Sequence, residues 1–96
     1  MQKLTINQIK QKIVPVLKEE GVMKSSLFGS YVRGEQTDNS DIDILIDYPK
    51  NKSLFDFVHL KNRLEDVLQR KVDLVEYDTI KPQLKQYILP EQVQIL

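Results

Sequence analysis

The chain has 96 residues, enough for one small domain spanning 1–96 and too few for a second lobe. Its 14 basic and 14 acidic side chains cancel, so no general cationic field draws it onto a nucleic-acid backbone, and a role on long nucleic acid is disfavoured. With no cysteine, no signal-peptide-like N-terminus and no apolar run of membrane length, disulfides, thiolate metal sites and membrane insertion are set aside, and a soluble cytoplasmic protein is expected.

In chain order, Ile6, Ile9, Ile13, Val16 and Leu17 recur at helical spacing behind the capping pair Thr5 and Gln8. They predict a first helix from Ile6 to Glu20, kinked at Pro15 and closed by Gly21. A first strand follows from Met23 to Phe28 and runs into the turn Gly29-Ser30. Gly29 lets the backbone bend and a ligand approach closely. Ser30 stands where it can cap the short segment Tyr31-Val32-Arg33 and direct backbone N–H groups and a hydroxyl at an anion.

The second strand, Asp41 to Asp47, carries apolar alternation through two acids. Tyr48 to Lys52 reads as a turn, and Ser53 with Asp56 as a second capping box. Leu54, Phe57, Val58, Leu60, Leu64, Val67 and Leu68 give the longest apolar stripe, a helix to about Gln69. A third strand covers Val72 to Glu76, and a last helix opens at Lys81-Pro82 and ends near Leu89, before Pro90. The tail Glu91 to Leu96 alternates polar and apolar residues like a terminal, half-buried strand, which either covers the edge of the protein's own sheet or offers an edge that helps hold another chain. Helices interspersed with short strands imply a layered α/β or α+β fold.

Asp41 and Asp43 lie two apart on their strand, so both project from one face, roughly 6.6 Å apart along the chain. Ile42, Ile44 and Ile46 take the other face and reach the core. Two carboxylates held this close on a half-buried surface repel each other, and hard divalent cations such as Mg²⁺ or Mn²⁺ are the natural remedy. Alone, the pair equally suits a strand whose acids face water. A Gly-Ser turn ten residues upstream makes the combination much more specific. In the third strand, Asp73 has the parity opposite to Val72 and Leu74, while Glu76 points away from it; by itself Asp73 is as well read as solvated as it is as a ligand.

Gly29-Ser30, Arg33-Gly34 and Ser40-Asp41-Ile42-Asp43-Ile44-Leu45-Ile46 together resemble the signature of the polymerase-β-type nucleotidyltransferase superfamily. Within it they are most similar to the minimal nucleotidyltransferases, antitoxin partners of HEPN-domain toxins. The order of elements from Ile6 to about Leu89 fits as well, with Lys71 to Val75 similar to the strand that carries a third carboxylate. The resemblance implies a polymerase-β-like fold, a small mixed sheet of three or four strands flanked by helices. It also implies ATP as substrate, two Mg²⁺ ions held by Asp41, Asp43 and Asp73, and transfer of AMP to a hydroxyl, a tyrosine of a HEPN ribonuclease toxin bound as a hetero-oligomer.

The chemistry requiring this set is nucleotidyl transfer, in which a hydroxyl attacks the α-phosphorus in line and pyrophosphate leaves, with two ions roughly 3.5–4 Å apart clamping both ends. Asp41 and Asp43 would bridge the ions, and Asp73 would serve as ligand and general base. Gly29 and Ser30 would hold the β,γ-phosphates. Arg33 contacts phosphate or pins its loop to nearby acids, Ser40 braces the turn before Asp41 or reaches the nucleotide, and Tyr31 borders the nucleotide or packs. Asp47 and His59 are expected in solvent. A non-catalytic antitoxin and an aminoglycoside-type transferase acting on a small molecule are the alternatives.

Overall fold

Thr5 accepts a hydrogen bond from the Gln8 amide at 3.1 Å and the Gln8 side chain accepts from the Thr5 N–H at 2.9 Å, opening α1 (Ile6–Glu19) with the capping box its sequence announces. This computed structural model describes residues 4–35 and 40–96. Pro15 is carried on the exposed side of α1, where its missing N–H costs least. The helix ends in a Schellman turn: the N–H of Val22 bonds to the carbonyl of Leu17 at 2.9 Å and that of Gly21 to Lys18 at 3.2 Å, with Gly21 at φ 81°.

After that turn come β1 (Lys24–Phe28), α2 (Ser30–Arg33), β2 (Ile42–Asp47), α3 (Leu54–Leu68) and β3 (Val72–Glu76). A 3₁₀ turn (Tyr77–Thr79), α4 (Pro82–Ile88), a second 3₁₀ turn (Leu89–Glu91) and β4 (Val93–Gln94) complete the order. Among the described residues the strands form one mixed sheet in the order β3-β2-β1-β4, with β2 parallel to β3 and antiparallel pairs elsewhere.

The core lies between one sheet face and the layer made by α1 and α3. Ile9, Ile13 and Leu17 of α1 and Leu60, Leu64 and Leu68 of α3 meet Leu27, Ile42, Ile44 and Ile46. The apolar stripe expected on α3 is only partly used. Leu60, Leu64 and Leu68 are buried, but Leu54 is 74% exposed and Val58 45%, because the four-residue rhythm ending at Leu68 is the arc that faces the core. Arg63 reaches Glu19 and Glu20 of α1, each at 2.8 Å, and His59 stands 3.6 Å from Glu20 with its side chain 64% exposed. Since Arg63 already satisfies Glu20, His59→Ala should shift stability by less than about 0.5 kcal/mol in a denaturant melt. A larger change would give the imidazole a role its exposure does not suggest.

The tail takes the place its alternation predicts. β4 pairs Gln94 with Ser26 and Val93 with Leu27, and the Ile95 N–H bonds to the Ser25 carbonyl at 2.9 Å. Ile95 is buried in the core, and Leu96 packs against it. Removing residues 90–96 should therefore cost about 2–4 kcal/mol, a fall in Tm of roughly 10 °C or more. Unchanged melting would mean the strand contributes nothing to the fold.

The second sheet face was the part sequence parity did not capture. Leu45 shares the parity of Asp43 yet is fully buried, outside the main core. The chain after β3 folds back here. The Tyr77 hydroxyl lies 2.6 Å from Ser26 Oγ and 2.9 Å from Gln92 Oε1, and Ile80 is buried beside it in the chain. That covers the upper part of this face and leaves the end carrying the acids open.

Candidate active site

Register builds the site. Phe28 of β1 pairs with Asp43 of β2, and Asp43 pairs with Asp73 of β3, so these residues form a row across three strands on the face turned away from the core. Asp43 is half-buried, whereas Asp73 and Asp41 are exposed; Asp41 lies one residue ahead of β2.

Gly29 is pressed against this row. It adopts φ 77° and ψ −148°, a region essentially reserved for glycine, and a Cβ placed there would overlap the Asp43 carboxylate and stand 3.0 Å from its Cγ. The Gly29 carbonyl accepts from the N–H groups of Val32 and Arg33, each at 3.1 Å, which makes Gly29 itself the cap of α2. Ser30 is thus the first helical residue rather than the cap. Its N–H and that of Tyr31 belong to the helix start, where no intrahelical acceptor exists. Tyr31 packs in the core, 3% exposed, which decides for it between packing and bordering a ligand.

Of the two roles open to Arg33, the structure displays pinning: Nε lies 3.5 Å from Glu35 and Nη1 3.4 Å from Glu91. At 42% exposure these pairs are weak and easily exchanged. Its charge also reaches Asp43, whose acidity it favours. Ser40 is half-buried immediately before Asp41. Asp47 lies opposite Lys24 at the far end of β2, away from the row.

The electrostatics single out Asp43. Burial, then the charges of Asp73 and Asp41, and a hydrogen bond shared with Asp73 push its pKa up to about 6 from 3.8, against the opposing pull of Arg33. A carboxylate with this environment gains from a cation. As placed, no three His, Cys, Asp or Glu side chains among the described residues are gathered closely enough to hold a metal ion. The donor set nevertheless suits a hard divalent ion: carboxylate oxygens only, on one face, with Asp43 within charge-coupling reach of both Asp41 and Asp73.

Two clefts flank the row and share Phe28 and Ile88 as a common wall. One, of about 460 Å³, opens at Gly29 and Arg33 and is closed by Tyr87, Pro90 and Glu91. The other, of about 340 Å³, runs from Phe28 to Asp73 beneath Ile80 and Leu84. Sequence reasoning found neither, because both depend on where α4 and the turn before it come to rest. No helix of the described residues is long and apolar enough to cross a membrane.

A Methanocaldococcus jannaschii protein provisionally named a protein adenylyltransferase is 50% identical over 93 residues, covering 97% of this chain and 100% of its own. The protein adenylyltransferase MntA of Thermococcus cleftensis is 38% identical over 100 residues, covering 99% of this chain and 100% of its own. A crystal structure of a toxin-antitoxin with AMP-PNP is similar in fold, with a TM-score of 0.79 at 29% identity over 91% of this chain and 72% of that one. The family described as Polymerase beta, Nucleotidyltransferase matches residues 11–96, and the chain belongs to it.

Proposed function

We propose that this protein is an adenylyltransferase that moves AMP from ATP to a hydroxyl of a HEPN-domain ribonuclease toxin, a tyrosine hydroxyl, and thereby neutralises the toxin in the cytoplasm. One observation carries the reading: a half-buried Asp43 wedged between the Gly29 backbone and Asp73, on a sheet face left open. A phosphate-holding turn and a set of carboxylates are brought together there. Support comes from relatives named protein adenylyltransferases that match nearly the whole chain, and from the likeness to a toxin-antitoxin with AMP-PNP.

Asp41, Asp43 and Asp73 would hold Mg²⁺ or Mn²⁺, which when bound neutralises the charge that builds on the phosphoryl, attacking and leaving oxygens. The chain's own groups do the rest. The N–H groups at the start of α2 and the Ser30 hydroxyl would bind the β,γ-phosphates. Arg33 can exchange its exposed carboxylate partners for phosphate oxygens, a planar fork meeting the same geometry. Asp73, at the end of the row away from Gly29, takes the proton of the attacking hydroxyl.

The decisive experiment incubates the protein with Mg²⁺, the cognate HEPN toxin and ATP labelled at the α-phosphate or, separately, at the γ-phosphate. Label on the toxin from the α-position alone is expected. Tight binding of the toxin without label would make this chain an inert antitoxin, and γ-label transfer would make it a kinase.

A further inference from the structure

We propose that the cleft beside Asp73 receives the ring of the acceptor tyrosine and is what selects a phenol over an aliphatic hydroxyl. The inference rests on the adenylyl transfer proposed above and adds where the acceptor enters.

Register sets Phe28, Asp43 and Asp73 side by side, and the cleft touches the two outer members of that row, Phe28 and Asp73. Its remaining walls are Val75 from the sheet and Ile80, Leu84 and Ile88 from the covering segment, apart from Thr79 and Lys81. At about 340 Å³ it is in the range of sites that enclose small molecules. Walls that are mostly apolar, with Asp73 the one carboxylate among them, match a phenol, whose ring is apolar and whose one polar group lies at its tip. A serine or threonine hydroxyl carries no ring to fill the walls and stands several bonds closer to its own backbone.

The second cleft argues for the same division. Gly29 and Arg33, the groups suited to the phosphates that leave, open onto the other side of the Phe28–Ile88 wall. In-line displacement needs entering and leaving oxygens on opposite sides of the α-phosphorus. With the acceptor in the Asp73 cleft, the phenol oxygen bonds to the α-phosphorus as the bond to the oxygen bridging to the β-phosphate breaks. Pyrophosphate leaves with that electron pair, and the phenol proton passes to Asp73.

Leu84→Glu tests this on the full chain. Leu84 is 46% exposed on α4, so the substitution is expected to fold, and unchanged melting verifies it. The KM for the toxin should rise tenfold or more while the KM for ATP stays within twofold. An unchanged toxin KM overturns the cleft and leaves the transferase reading standing. A parallel rise in the ATP KM also overturns it, because the cleft would then belong to the nucleotide. Should the parent protein transfer nothing, the transferase reading falls, and the cleft is judged separately by NMR titration. Shifts at Ile80, Leu84 and Ile88 with N-acetyl-tyrosinamide but not N-acetyl-serinamide support it, and their absence overturns it.

Discussion

Asp43→Asn should cost on the order of a thousandfold or more in transfer, yet yield a more stable protein at neutral pH. The loss follows from the proposed role of Asp43 in holding a divalent ion, which would supply several kcal/mol of transition-state stabilisation. The gain follows from the pKa of about 6, raised by burial and by Asp73 and Asp41. A carboxylate whose folded pKa lies above its unfolded value of 3.8 binds its proton more tightly in the folded state. Stability must then fall as pH rises between about 4 and 6, with the penalty complete above 6 and absent below 4. The full shift corresponds to about 3 kcal/mol, and solvent screening at this half-exposed group reduces it to about 1–2 kcal/mol. Asn carries no charge, so the variant should melt several degrees higher than the parent at pH 7.5 and alike at pH 4. A variant less stable at pH 7.5 would show that the carboxylate is held by favourable partners, contrary to its environment here.

The same row shows what a sequence can and cannot reveal. Local signals were read directly. The Thr5–Gln8 and Ser53–Asp56 capping boxes form as written, Gly21 takes its left-handed turn, and Val72–Glu76 is a strand from end to end. Each depends on atoms within a few residues. Alternation also assigned Ile42, Ile44 and Ile46 to the core and Asp43 to the opposite face.

What periodicity missed depends on distant contacts. Leu45 has the parity of an exposed residue and is buried, because Tyr77, 51 positions beyond Ser26, returns to bond with it and brings the covering segment over that face. Leu54 and Val58 fit an apolar stripe wider than the arc the core could cover. Ser30 was the better cap by residue type, but capping is set by φ and ψ, and the Asp43 carboxylate against the turn leaves room only for glycine at that position. That Asp73 stands beside Asp43 was implied by family resemblance; the spacing of the two along the chain says nothing of a parallel pair.

Gly29→Ala should be the most damaging single methyl in the chain. Two penalties fall on it, and they are separable. At φ 77° and ψ −148° an alanine carries backbone strain of about 1–3 kcal/mol wherever its side chain points. Its Cβ also occupies the space of the Asp43 carboxylate, which must swing away from Asp73 or force the turn off the sheet. The combined effect is a loss of roughly 3 kcal/mol or more in a domain with about three times that to spare, together with a loss of transfer of more than about a hundredfold. Shortening the acid in the same background divides the two. Gly29→Ala with Asp43→Ala relieves the overlap and retains the strain, so the double variant should recover part of the stability and none of the activity. Urea midpoints at constant m-value for the four members of the cycle measure the coupling directly. If the two stability changes simply add, Gly29 and Asp43 are not in contact and the close approach that defines the site is wrong. A favourable coupling of 1 kcal/mol or more places the glycine where it is because Asp43 leaves no room for anything larger.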